Sequence, residues 1–352
     1  MRNTRSRKRL QTDGSRRVRL EDVARLAGVS TATVSRALND PKKVRPNLAE
    51  KVRDAIRELG YVPHGAARAL ASQRSHTIGA IVPTLDNAIF ARGIGALQQR
   101  LSEDGYTLLL ATSDYDFERE LFQVEKLIER GIDGLMLIGE AHDRRLYDML
   151  AAKVLPYVNT WVYNAESPHP CVGFHNRDAA YRIATYLIDI GHRRIGMIAG
   201  LCQFNDRAAD RVHGVRDALS DRGLELEPRL LVEAAYDITE GRQALHVLLE
   251  QPDPPTALIC GNDVIAFGAL FEALSIGKDV PAELSIVGFD DLDLARQVAP
   301  PLTTMHVPSH QMGRGAAEYL LARLAGENPA AATELEVGLI VRGTTAPPST
   351  AG

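Results

Sequence analysis

The chain has 352 residues, 45% of them hydrophobic and 24% charged. It is too long for one small core, ordinary in composition for a globular protein, and without any apolar run near the roughly 18 residues of a membrane span. Its net charge of −4 hides an asymmetry: residues 1–77 hold 18 Lys/Arg against 7 Asp/Glu, and the remainder 23 against 38. A basic head on an acidic body attracts a polyanion at one end and repels it from the other, which a uniformly charged enzyme would not do.

Residues 1–17 are rich in Arg, Lys and Ser without an apolar period, and read as a basic disordered tail able to add non-specific phosphate contacts. No apolar stretch follows to make it a secretory signal, so a cytoplasmic, nucleoid-associated protein is expected. Residues 18–63 change character. Leu20, Val23, Ala24 and Ala27 recur at helical spacing until Gly28, which tolerates a tight turn. Ser30 is a good N-cap for a second helix from Thr31. That helix buries Val34, Ala37 and Leu38 and leaves Thr31, Ala32, Ser35 and Arg36 outward. Pro46 opens a third helix, with Leu48, Val52, Ile56 and Leu59 on one face, and Gly60 stops it. Two short helices across a glycine turn, closed by a third, describe a helix-turn-helix. Arg36, one turn into the second helix, suits a bidentate bond to guanine in the major groove; Ala32 offers only apolar contact, for instance to a thymine methyl. Ser30, Thr33 and Ser35 suit phosphate or the turn itself.

The residues go further than their spacing. Asp22-Val23-Ala24, Gly28-Val29-Ser30, Thr33-Val34-Ser35-Arg36 and Gly60-Tyr61-Val62-Pro63 together resemble the DNA-binding domain of the LacI/GalR family of bacterial transcription regulators. The resemblance implies that the alanine-rich stretch from His64 to Ala71, within a 64–76 hinge and linker, orders on DNA. His64, Ala67 and Leu70 would then reach the minor groove, with Leu70 as the wedge between base pairs.

From Thr77 short apolar strands alternate with helices. IGAIVP, YTLLLA, GLMLI and YVNTWV form a first set; RIGMIA, LVEAA, ALIC and LSIVGF form a second. The pattern predicts two α/β lobes with parallel sheets over about 77–346, before a short tail. Ile78-Gly79, Asp133-Gly134, Gly191-His192-Arg193-Arg194-Ile195-Gly196, Asn262-Asp263, Val287-Gly288-Phe289-Asp290-Asp291 and Pro301-Leu302-Thr303-Thr304 resemble periplasmic sugar-binding proteins and the matching core of LacI/GalR regulators. By that resemblance Thr304–Val307 returns to the first lobe and Glu334–Val341 to the second. Lobe one is then about 77–175 plus 304–333, and lobe two about 176–303 plus 334–346.

Ligands of parallel α/β sheets bind beyond the carboxyl ends of the strands. Asn159 and Trp161, Tyr236, Asn262 with Asp263, and Asp290 with Asp291 stand at such ends, and Arg211 lies in the helix after one of them. Arg, Asp and Asn beside a flat aromatic face suit a polyhydroxylated ligand. Asp263 reads equally well as a structural cap. By resemblance Arg211, Asn262 and Asp290 match the family's main effector contacts, Tyr236 its stacking aromatic, and Ile89 and Phe90 positions lining the cleft. Trp161 stands where many relatives carry an aspartate or arginine, and the Asn-Thr-Trp stretch loosely resembles gluconate-type regulators.

Catalytic signatures are missing: no G-x-S-x-G elbow, Walker sequence or H-E-x-x-H occurs. His306 and His310 straddle Pro308, so a metal site is not expected, and Cys171, Cys202 and Cys260 read as reduced, partly buried residues. The expectation is therefore a homodimeric repressor without cofactor, binding a palindromic operator in double-stranded DNA under the control of a sugar or sugar acid. Induction and corepression are equally allowed. A sugar-binding transport component and an α/β enzyme with an accessory head are the rival readings.

Overall fold

The computed structural model describes residues 18–39, 43–62 and 74–349. The chain divides into two compact units, residues 1–75 and 76–352. The basic tail and the hinge positions His64, Ala67 and Leu70 lie outside the described residues.

The head holds α1 (Leu20–Ala27), α2 (Thr31–Asn39) and α3 (Pro46–Leu59). Gly28 ends α1 in the left-handed region at φ 67°, which a residue with a Cβ enters at a cost. Asp22 steadies the start of α1 by accepting the Arg19 N–H at 3.0 Å. Val23, Ala24, Ala27, Val34, Val52 and Ala55 form the core, with Leu38, Ile56 and Leu59 packed around it. Buried Ala24, Ala27 and Ala55 keep that core small enough for three short helices to share.

The second unit contains two six-stranded sheets. Its elements are β1 (Thr77–Val82), α4 (Ala88–Glu103), β2 (Thr107–Thr112), α5 (Phe117–Glu129), β3 (Gly134–Ile138), α6 (Arg144–Ala152), β4 (Tyr157–Thr160), β5 (Cys171–Gly173), α7 (Asn176–Asp189), β6 (Ile195–Gly200), α8 (Asp206–Ser220), β7 (Leu231–Ala234), α9 (Ile238–Leu249), β8 (Ala257–Cys260), α10 (Asp263–Ser275), β9 (Ser285–Asp290), β10 (Thr303–His306), α11 (Ser309–Leu324), β11 (Ala332–Glu334) and β12 (Gly338–Ile340). The strand orders are β11-β5-β4-β3-β1-β2 and β12-β10-β9-β8-β6-β7. Pairing is parallel except between β10 and β12. β1, β3, β6, β8 and β9 are almost wholly buried, which is why they read as continuous apolar runs.

The return strands differ from expectation. β10 stays in the second lobe, pairing Thr303 with Val287 and Thr304 with Gly288. It is fixed there because the Thr304 hydroxyl donates to Asp263 Oδ1 at 2.5 Å and the Thr303 N–H to Thr344 Oγ1 at 2.9 Å. The chain crosses to lobe one only after it, and α11 packs on α4 and beneath β3, β4 and β5. Glu334 then ends β11 in the first sheet, while Gly338–Ile340 returns to the second. The three-residue β5 went unseen because it is too short to show a period.

Candidate functional site

In the head, Ser30 Oγ accepts the Thr33 N–H at 3.2 Å and lies 2.9 Å from the Thr33 hydroxyl. Both side chains therefore hold the turn. Ser30, Thr31, Ala32 and Arg36 are exposed, Thr33 and Ser35 half-buried, and Val34 fully buried. The outer face of α2 thus carries the small polar and cationic residues that base edges require.

In the core, the seven candidate effector contacts line one cavity: Ile89, Phe90 and Trp161 from lobe one, Arg211, Tyr236, Asn262 and Asp290 from lobe two. Asn87, Tyr115 and Arg207 complete its wall. Asn87 caps α4 by accepting the Ile89 N–H at 3.3 Å, which sets Ile89 and Phe90 in the first turn at the cavity. Phe90 meets Trp161 edge to face, with centroids 5.3 Å apart.

Trp161 follows β4 with φ 60°. Its N–H donates to Met312 Sδ at 3.0 Å and its carbonyl accepts Asn176 Nδ2 at 2.8 Å. The indole fills the space a Cβ on Gly93 would need: that atom would lie 2.3 Å from the ring. Tyr115 (φ 58°) and Asp290 (φ 122°) also take positive φ. Three non-glycine residues with positive φ in one cavity mark a place where the backbone holds strain to fix geometry.

Arg211 is 6% exposed. It donates to Asn176 Oδ1 at 2.9 Å and to the Gly261 carbonyl at 2.6 Å, and its guanidinium lies 3.6 Å from the Phe289 ring centroid. Burial lowers its pKa, opposed first by Asp290, yet a guanidinium keeps its proton. The Asp290 carboxyl is pushed up to about 7 by burial, against the pull of Arg211 and Arg92. Asn262 caps α10 by accepting the Ile265 N–H at 2.9 Å. Asp263 resolves as a fold-holding residue: it takes the Leu292 N–H at 2.7 Å as well as the Thr304 hydroxyl. Asp291 is engaged outside the cavity, 2.6 Å from Arg342 and 3.0 Å from His306.

Several polar contacts join the lobes. Asp206, at the start of α8, accepts the N–H groups of Glu140 and Ala141 at 2.6 and 3.2 Å, while Arg207 donates to the Ile138 carbonyl at 3.0 Å. Gly139 (φ 88°) permits this approach, since a Cβ there would sit 1.9 Å from Arg207 Nη1. Elsewhere Arg92 bonds the Asp291 carbonyl at 3.3 Å and pairs with Asp293 at 2.7 Å.

The sequence matches the description "Bacterial regulatory proteins, lacI family" over residues 19–64 and "Periplasmic binding protein-like domain" over 184–345. It is 35% identical over 335 residues to the HTH-type transcriptional repressor CytR of Escherichia coli K12, covering 93% of this chain and 96% of CytR. The chain belongs to the lacI family. The HTH-type transcriptional repressor PurR of Haemophilus influenzae (strain 86-028NP) is 34% identical over 308 residues, covering 87% of this chain and 90% of PurR. The lac repressor dimer bound to operator and the anti-inducer ONPF superposes with a TM-score of 0.84 at 28% identity, over 94% of this chain and all of that one.

This lacI-family chain is thus a DNA-binding transcription regulator and not an enzyme. Among its described residues no helix is long and apolar enough to cross a membrane. Sequence reasoning missed Asn87, Tyr115 and Arg207. Arg207 was visible in principle, four residues before Arg211 on one helix and so on the same face. Tyr115 follows the carboxyl end of β2, where the strand-end rule points, but nothing in Ser-Asp-Tyr-Asp announces its positive φ.

Proposed function

We propose that the protein is a cytoplasmic, homodimeric repressor whose core binds a small polyhydroxylated effector, a sugar or sugar acid, in the cleft between the lobes. The convergence of Arg207, Arg211, Asn262 and Asp290 with Phe90, Trp161 and Tyr236 on one cavity carries this reading. Planar charged groups bridge adjacent hydroxyls, and aromatic faces cover a C–H surface. On the DNA, Thr31, Ala32 and Arg36 of each subunit enter a major-groove half-site, while Leu70 wedges the minor groove. The effector acts by favouring one arrangement of the lobes, because a ligand shifts an equilibrium only by its differential affinity for the two states.

The full chain incubated with randomised duplexes, with and without neutral sugars and sugar acids, tests both halves. Enrichment of a two-fold symmetric site, altered by one class of ligand, is expected: loss names an inducer and gain a corepressor. Equal retention of all sequences under every condition would overturn the operator reading.

A further inference from the structure

Buried donors and acceptors in folded proteins almost always find partners, so the exceptions carry information. Among the described residues four buried side-chain polar atoms have none: Arg100 Nε, Asn159 Oδ1, Trp161 Nε1 and Asn262 Nδ2. Two of the four belong to residues that line the cleft, one from each lobe, and both are N–H donors. Neither side chain is free to turn away. The Asn262 amide is oriented by its Oδ1, which caps Ile265, so the unmatched atom is the nitrogen. Trp161 is tethered through its N–H to Met312 and through its carbonyl to Asn176, and its ring is seated against Gly93.

These two donors restrict the ligand. A hydroxyl that accepts such a bond also brings a hydrogen that needs an acceptor of its own, whereas a carbonyl or carboxylate oxygen accepts without that demand. Arg207 and Arg211 also line the cleft, and part of each guanidinium is already bonded, to Ile138 and to Asn176 and Gly261. We infer that the effector is a polyol bearing an acceptor-only oxygen, a carbonyl or carboxylate, which receives the indole N–H of Trp161 and the amide N–H of Asn262. The inference rests on the cleft being the effector site and narrows what that site takes.

Three compounds test it: D-gluconate, D-gluconamide and D-glucitol. They share a hydroxylated chain and differ at C1, as carboxylate, carboxamide and alcohol. Each is titrated into the full chain, followed by calorimetry and by the emission of Trp161, the single tryptophan. Gluconate or gluconamide is expected to bind at least tenfold more tightly than glucitol; whichever of the two is favoured separates a carboxylate from a neutral carbonyl. Asn262→Asp keeps an oxygen to cap Ile265 and loses the donor; Trp161→Phe removes the indole N–H without adding charge. Each is expected to weaken the favoured carbonyl compound ten- to hundredfold while changing glucitol less, with thermal midpoints reporting that the variants fold.

Glucitol binding as tightly as the other two, or both variants binding like wild type, would overturn the inference and leave the cleft reading standing. Silence from all three compounds would overturn it as well; ribose and glucose would then decide whether the cleft reading survives, which it does if they move Trp161 emission.

Discussion

Arg36 is exposed on the outer face of α2 while Val34 anchors that helix to the core. Arg36→Ala is expected to cost about 1–3 kcal/mol at one base position and to relax preference there, as read by selection from randomised sites; an unchanged preference would remove it from the base-reading set. Asp290 is a buried carboxyl facing Arg211, Arg92 and Asp263, with its value raised to about 7. A carboxyl whose folded value lies above its unfolded value favours the fold below the unfolded value, and that contribution fades as pH rises through about 7. The unliganded protein should therefore lose stability between about pH 4 and 7, with a slope from this group of at most about 1.4 kcal/mol per pH unit. Asp290→Asn should flatten that limb in denaturant titrations.

At the scale of elements, helix packing sets the cleft. α4 and α11 cross at Gly93 and Gly313, where a Cβ on Gly313 would lie 1.9 Å from the Gly93 carbonyl. Gly313→Ala must drive the helices apart, at about 1–3 kcal/mol or more, and it should also shift Trp161 emission, because the indole sits on the same seam. Asp206→Ala should leave the Glu140 and Ala141 amides without their acceptor and favour open lobes, seen as a larger radius of gyration by small-angle scattering. These elements show how far sequence carried the reading. The buried strands were legible because parallel strands covered on both faces are apolar throughout, and Arg211, Asn262 and Asp290 because they stand at or near strand ends. The lobe to which Thr303–His306 belongs was not: nothing in TTMH itself favours either sheet, and the bond that holds it runs from Thr304 to Asp263, 41 residues away in sequence. Nor does any local pattern reveal that Trp161, Tyr115 and Asp290 all take positive φ.

For the whole molecule, the basic head and acidic body set an electrostatic contribution to DNA binding. The first 17 residues contain seven Arg or Lys and one Asp. Removing them should weaken binding to all duplexes alike and lower the salt slope by about 0.9 for each phosphate no longer neutralised, leaving the order of preferred sites unchanged. Measuring affinity across a salt series on specific and random duplexes separates that outcome from a loss of base reading.

The chain passes between the two lobes three times, at about residues 174–175, 307–308 and 335–337. Neither lobe is therefore a continuous piece of sequence, and synthesis cannot finish the first before the second. While the ribosome is making β6 to β10, lobe one still lacks α11, whose Met312, Ala316, Ala317 and Leu320 are buried, and the edge strand β11. Its apolar face waits uncovered through some 130 residues of elongation. A nascent chain stalled near residue 308 should thus be cut readily by protease in its first lobe, and protection there should arrive only once residue 334 has cleared the exit tunnel.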